Sequence, residues 1–175
     1  MKDSNFLKEK NARSMWHPMT HPADSLANPP VIVTGGQGTR ITDIDGHEVV
    51  DGVGGLWNVN LGYSCQPIKD AITAQLDTLP YYSTFRGSSN DAVIELSYEL
   101  AAFFEPDGLS RAFFTSGGSD SVETALRLAR QYHKLRGDAG RTKFLSLKKG
   151  YHGTHIGGAS VNGNANFRNA YEPLL

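Results

Sequence analysis

The stretch Phe113 to Arg130, FFTSGGSDSVETALRLAR, constrains the possible folds more than any other part of the chain. Phe113, Phe114 and Thr115 suit a short buried strand, Ser116-Gly117-Gly118-Ser119 forces a tight loop, and from Asp120 onward apolar residues recur at helical spacing. Where a strand runs through glycines into a helix, the unpaired amides of the first helical turn point outward with the helix dipole behind them. That junction is a natural seat for a phosphate. Gly117 and Gly118 let backbone approach a ligand closely, and Ser119 adds a hydroxyl donor. Ordinary strand-to-helix punctuation explains this segment alone equally well, and Asp120 with Glu123 fits a capping box in which the protein satisfies its own helix end.

Its neighbours sharpen the reading. Arg111–Thr115 is expected as a strand, Asp120–Arg136 as a helix with Val122, Ala125, Leu126 and Ala129 inward and Glu123 paired with Arg127 outside, and Arg141–Leu147 as the next strand. Strand, helix and strand within one crossover length imply a right-handed βαβ unit of a largely parallel sheet. Both strands would then end at the same edge, where open α/β sheets hold their ligands. One would end at Gly117-Gly118-Ser119 and the other at Lys148-Lys149-Gly150-Tyr151-His152-Gly153. Tyr151 offers a flat aromatic face and His152 a proton donor or acceptor, so a phosphorylated heteroaromatic ligand suits the pair.

Upstream, Met1 to about Met15 reads as a short polar helix ended by Pro18 and Pro22, and those prolines argue against His17 and His21 as metal ligands. Asp45-Gly46 between Thr39–Asp43 and His47–Asp51 predicts an antiparallel hairpin, with Gly35-Gly36-Gln37-Gly38 as a further turn of the same small sheet. Gly52–Tyr63 is a glycine-rich loop carrying Trp57, which is either a binding residue or a core aromatic beneath the hairpin. Helices are expected over Pro67–Thr78 and Asp91–Phe104, separated by the aromatic loop Tyr81–Gly87. The 17 basic and 18 acidic residues among 175 leave no electrostatic footprint for nucleic acid or an anionic membrane. Cys65 stands alone, which excludes an intrachain disulfide and a cysteine-based zinc site and suits a reducing cytoplasm. No apolar run has signal-peptide or membrane-spanning length.

Four segments in order, HPMT at His17–Thr20, DIDGHEVVDGVGGLWNVNLGY at Asp43–Tyr63, FFTSGGSDSVETALRLARQYHKLRG at Phe113–Gly137 and KKGYHGTHIGGAS at Lys148–Ser160, carry a family resemblance. The chain resembles the N-terminal part of class III, fold-type I pyridoxal-phosphate aminotransferases, of the omega-amino acid and amine:pyruvate branch. The resemblance implies an α/β fold: the start of the large cofactor-binding domain, a mostly parallel sheet with flanking helices, over 58–175, preceded by a small-domain segment with an antiparallel hairpin over 1–57. It implies pyridoxal 5'-phosphate held by Gly117, Gly118 and Ser119 and covered by Tyr151 with His152 beside it. It implies a substrate pocket lined by Trp57, Phe85 and Met19, an amine or amino-acid donor with a keto-acid acceptor, a homodimer and a cytoplasmic enzyme. Ser116-Gly117 replaces the Asn-Ser more common in the family, so the phosphate would depend more on backbone amides there.

By the same resemblance the Schiff-base lysine, the aspartate facing the pyridine nitrogen and the carboxylate-binding arginine lie beyond the position matched by Leu175. The 175 residues are therefore expected to be an incomplete fold and inactive by themselves, and Lys148 and Lys149 to be solvated loop charges. Two further readings remain at this level: another class III enzyme of aminomutase or decarboxylating type, or a non-catalytic phosphate-binding module.

Overall fold

The computed structural model describes residues 3–172, in two compact units, Met1–Arg86 and Gly87–Leu175. In the first unit, α1 (Ser4–Ser14) begins where the Asp3 carboxylate accepts the Phe6 amide at 2.8 Å. The Pro18-Pro22 region holds a second helix that the breakers conceal in the sequence, α2 (Pro22–Ala27). Pro22 occupies the first turn, where proline loses no hydrogen bond, and His21 Nδ1 accepts the Ala23 amide at 3.2 Å. His17 is hydrogen-bonded to Asn11 at 2.9 Å.

Strands β1 (Val33–Gln37), β2 (Arg40–Asp43) and β3 (Glu48–Val50) form an antiparallel sheet in chain order. The β2–β3 hairpin is the expected one, with Ile41 opposite Val49. Asp43 shapes its turn: Oδ1 accepts the amides of Asp45 and His47, both at 2.9 Å, and Oδ2 lies 2.9 Å from His47 Nδ1. The Gly35–Gly38 run departs from expectation. Gly35 to Gln37 are strand, and Gly38 alone turns, with φ of +56°. Glycine at position 36 serves close approach, because a Cβ there would lie 2.8 Å from Cγ of the Tyr63 ring. Gly38 and Tyr63 exchange backbone hydrogen bonds of 3.1 and 2.7 Å.

The loop after β3 closes in one left-handed turn, α3 (Gly54–Trp57), in which Leu56 and Trp57 adopt φ of +66° and +69°. Asp51 holds it by accepting the amides of Val53 at 2.9 Å and Gly55 at 2.6 Å and the Tyr63 hydroxyl at 2.5 Å. The Tyr63 hydroxyl, then the two amides, keep the Asp51 carboxyl below the usual carboxylate range. Helix α4 (Gln66–Thr78) follows with proline in its first turn.

The second unit opens with α5 (Asp91–Phe103), capped by the Asn90 side chain on the Val93 amide at 3.0 Å and stopped by a 3-10 turn and Gly108 at φ +71°. Helix α6 (Gly118–Leu135) is the longest described element, and α7 (Ile156–Ser160) packs on it. The strands expected at 111–115 and 141–147 are not paired: the three-stranded antiparallel sheet is the only one among the described residues. A strand exists by its ladder, and Phe113, Leu145 and Leu147 are exposed with no neighbouring strand to bond. The expected capping box is absent as well. Helix α6 starts two residues before Asp120, at Gly118, with Gly117 as its cap. Asp120 instead faces His155 at 3.5 Å. Glu123 makes no described ion pair with Arg127 but turns Oε2 inward, without a partner, against Gly157. Burial is sparse: Ala159, 8% exposed, is the only buried apolar side chain among the described residues, and it sits in α7 against α6.

Candidate functional site

The N-terminus of α6 presents an open anion seat. Gly117 caps the helix in extended backbone, and its carbonyl is taken by the Ser121 amide at 3.0 Å and by the hydroxyls of Thr115 and Ser121, each at 3.1 Å. The preceding amides of the first turn have no intrahelical acceptor. Apart from chain neighbours and the helix's own backbone, no heavy atom lies within 4 Å of where a Cβ on Gly117 or Gly118 would stand, so backbone there is open to a ligand. Eighteen residues of aligned peptide dipoles lie behind it.

Ser119 joins this seat to the loop after residue 147. Its Oγ accepts the Thr154 amide at 3.2 Å, leaving the hydroxyl proton for an anionic oxygen. Gly153 makes the contact possible: it has φ of +102°, and a Cβ there would lie 2.7 Å from Ser119 Oγ and 2.9 Å from Ser119 Cα. The loop itself is tied by the Lys149 amide to the Gly163 carbonyl at 3.2 Å and the Gly163 amide to the Gly150 carbonyl at 3.0 Å. Inside it, Asn162 Oδ1 accepts the His152 amide at 2.6 Å and Nδ2 donates to the Gly153 carbonyl at 3.1 Å.

The resulting surface carries the groups a phosphorylated aromatic ring requires. Tyr151 is 57% exposed, with its ring meeting the edge of Phe167 at 5.3 Å and 68°. His152 Nε2 is buried against Gly150 and has no partner among the described residues, an unspent donor or acceptor. The open amides, the Ser119 hydroxyl, the aromatic face and the orphaned imidazole nitrogen fit pyridoxal 5'-phosphate.

Five of the expected site residues, Gly117, Gly118, Ser119, Tyr151 and His152, thus belong to the second unit, joined through Ser119, Thr154 and Gly153. Trp57, Phe85 and Met19 belong to the first, at 79%, 76% and 82% exposure. Trp57 is therefore no core aromatic beneath the hairpin. Met19 and Trp57 hold left-handed backbone, with φ of +62° and +69°, and the Arg86 guanidinium stands 6.0 Å from the Phe85 ring. Sequence reasoning missed Asn162, Thr115 and Thr154; Asn162-Gly163 reads as an ordinary turn. Asp43, Asp45 and His47 bring ligand atoms within 4.8 Å of one another, but the hairpin amides and Lys8, 2.6 Å from Asp45, account for that cluster. Among the described residues no helix is long and apolar enough to cross a membrane.

Residues 22–175 match the family described as aminotransferase class-III. A solved amine transaminase from an uncultivated Pseudomonas species, in its PLP-bound form, has 48% sequence identity and a TM-score of 0.87, covering 92% of this chain and 36% of that one. The (S)-enantioselective omega-transaminase of Thermomicrobium roseum has 33% identity and a TM-score of 0.93 over 99% of this chain and 38% of its own. The adenosylmethionine-8-amino-7-oxononanoate aminotransferase of Methanocaldococcus jannaschii is 36% identical over 173 residues, 99% of this chain and 37% of the relative. The chain spans little more than a third of the length of these proteins, and its fold is that of their N-terminal part.

Proposed function

The chain belongs to the class-III aminotransferases, and on that premise we propose that its protein binds pyridoxal 5'-phosphate and moves an amino group from an amine or omega-amino acid to a keto acid such as pyruvate. The observation that carries this reading is the open first turn of α6, tied through Ser119 and Thr154 to a loop that exposes Tyr151. The likeness at 48% identity to an amine transaminase supports the donor class.

In this reading the amides beyond Gly117 and the Ser119 hydroxyl hold the phosphate, and the helix dipole favours its charge. Tyr151 lays its ring against the pyridine, and His152 supplies a hydrogen bond beside it. When bound, pyridoxal phosphate supplies an electron-withdrawing ring that stabilises negative charge at the carbon bearing the amine. Trp57, Phe85 and Met19 are assigned by the resemblance to contact with the amino donor. Residues 1–57 belong to the small domain and 58–175 to the start of the cofactor domain of a cytoplasmic homodimer. The resemblance assigns the proton-moving lysine to no residue of this chain, so the 175 residues alone would not transaminate.

The test is to incubate the full-length protein with pyridoxal phosphate, an amine or omega-amino acid and pyruvate, and to measure alanine. Alanine formation supports the proposal. Transfer from adenosylmethionine alone, a compound in the name of the Methanocaldococcus relative, would move the protein to another branch, and failure with every donor would sink the enzymatic reading.

A further inference from the structure

Tyr151 and His152 owe their placement to a side chain that no motif contains. Asn162 is 3% exposed, in a chain where buried polar side chains are few. Its Oδ1 takes the His152 amide at 2.6 Å and its Nδ2 gives a hydrogen bond to the Gly153 carbonyl at 3.1 Å. One side-chain amide therefore pairs with the N–H and the C=O of adjacent residues, as the backbone of a neighbouring strand would. Asparagine suits this position because it carries a donor and an acceptor on one short planar group.

The paired segment has little freedom elsewhere. A Cβ on Gly158 would lie 2.5 Å from the His152 carbonyl oxygen, one on Gly153 would lie 2.7 Å from Ser119 Oγ, and one on Gly163 would lie 1.9 Å from the Leu147 carbonyl oxygen. The loop thus rests on contacts that only glycine allows, with Asn162 at its centre. The open amides at Gly117 and Gly118 stand apart from Asn162, which reaches the phosphate seat only through the Gly153–Thr154 peptide, whose carbonyl it holds and whose amide Ser119 accepts.

From this geometry we infer that Asn162 is a positioning residue of the cofactor site, fixing the backbone from which the Tyr151 ring meets the aromatic half of the ligand. It touches neither ligand nor reacting atoms, and the inference rests on the cofactor reading above. Ring orientation and the anion binding carried by the Gly117 and Gly118 amides are then separable.

The full-length protein tests it with Asn162→Ala and Asn162→Ser. Three quantities are read: pyridoxal 5'-phosphate affinity by fluorescence quenching, the induced circular dichroism of the bound cofactor, and inorganic phosphate affinity of the cofactor-free protein. Asn162→Ala leaves two buried backbone groups unpaired, so affinity for pyridoxal phosphate should fall about tenfold to a hundredfold. The induced dichroism should weaken, while phosphate affinity, carried mainly by the Gly117 and Gly118 amides, should fall far less. Asn162→Ser, whose hydroxyl can still serve one partner, should recover part of both losses. Unchanged affinity and dichroism in Asn162→Ala would overturn the inference and leave the cofactor reading standing. Phosphate affinity falling in parallel in both variants would overturn it in favour of a purely structural role. An unsubstituted protein that binds no pyridoxal phosphate would remove the functional reading and this inference together.

Discussion

Ser119 serves two neighbours with one oxygen, accepting from Thr154 while keeping a proton for an anion. Ser119→Ala should therefore weaken pyridoxal phosphate retention about tenfold, a typical loss for one charge-assisted hydrogen bond, measured by equilibrium dialysis of the full-length protein. Unchanged retention would remove Ser119 from the anchor. The hairpin turn offers a pH test. The Asp43 carboxylate, hydrogen-bonded to His47, raises the imidazole pKa above its ordinary 6.5, and the same hydrogen bond lowers that of Asp43. The raised group contributes stability that is fully present below 6.5 and is lost as pH rises through the folded value. Asp43 contributes stability that is present above its ordinary 3.8 and is lost as pH falls through its lower folded value. A magnetic-resonance titration should place the His47 midpoint above 6.5, and Asp43→Asn should return it to the ordinary value. At this scale Gly117, Gly118, Ser119, Tyr151 and His152 could be singled out in the sequence, because glycine and aromatic residues in loops stand out. Asn162 stayed hidden, since an Asn-Gly pair signals a turn wherever it occurs. Glu123 misled, because three residues of spacing suit both a cap and a side chain turned inward.

Helices α1, α4, α5 and α6 and the β2–β3 hairpin were legible from periodicity, caps and a turn dipeptide, all of them local signals. Helix α2 was not, since proline breaks a helix or begins one according to a position that the sequence alone does not mark. The segments 111–115 and 141–147 show the limit of composition: Phe113 and Phe144 favour strands, but a ladder needs a partner. Asn90→Ala should remove the cap of α5 and cost about 1 kcal/mol in urea unfolding. The glycines separate by role in the same measurement. Gly163→Ala drives a methyl toward the Leu147 carbonyl oxygen and should cost about 1–3 kcal/mol. Gly117→Ala meets open space in extended backbone and should cost less than about 1 kcal/mol while still weakening phosphate binding. Equal losses from the two would merge the structural and binding glycines.

Over the whole molecule, two units carry most of their large apolar side chains at the surface, Leu145 completely and Phe113, Leu147 and Phe103 nearly so. Apolar surface of that extent seeks cover. The 175 residues by themselves should bind a hydrophobic dye and sediment as more than one species, whereas a single undyed monomer would contradict the exposure described. The order of α1, the hairpin, α4, α5 and α6 was readable in advance. Which surfaces would be left uncovered was not, because burial depends on what lies opposite. The unpaired segments carry one more consequence. Among the described residues the amides of 112–115 and 142–147 have no backbone acceptor, so their protons should trade with deuterium in solvent at nearly free-peptide rates while those within α5 and α6 are retained. Any polypeptide that lays a strand against them would slow that trade at these amides first, making their deuterium uptake a local gauge of assembly that works without cofactor or substrate.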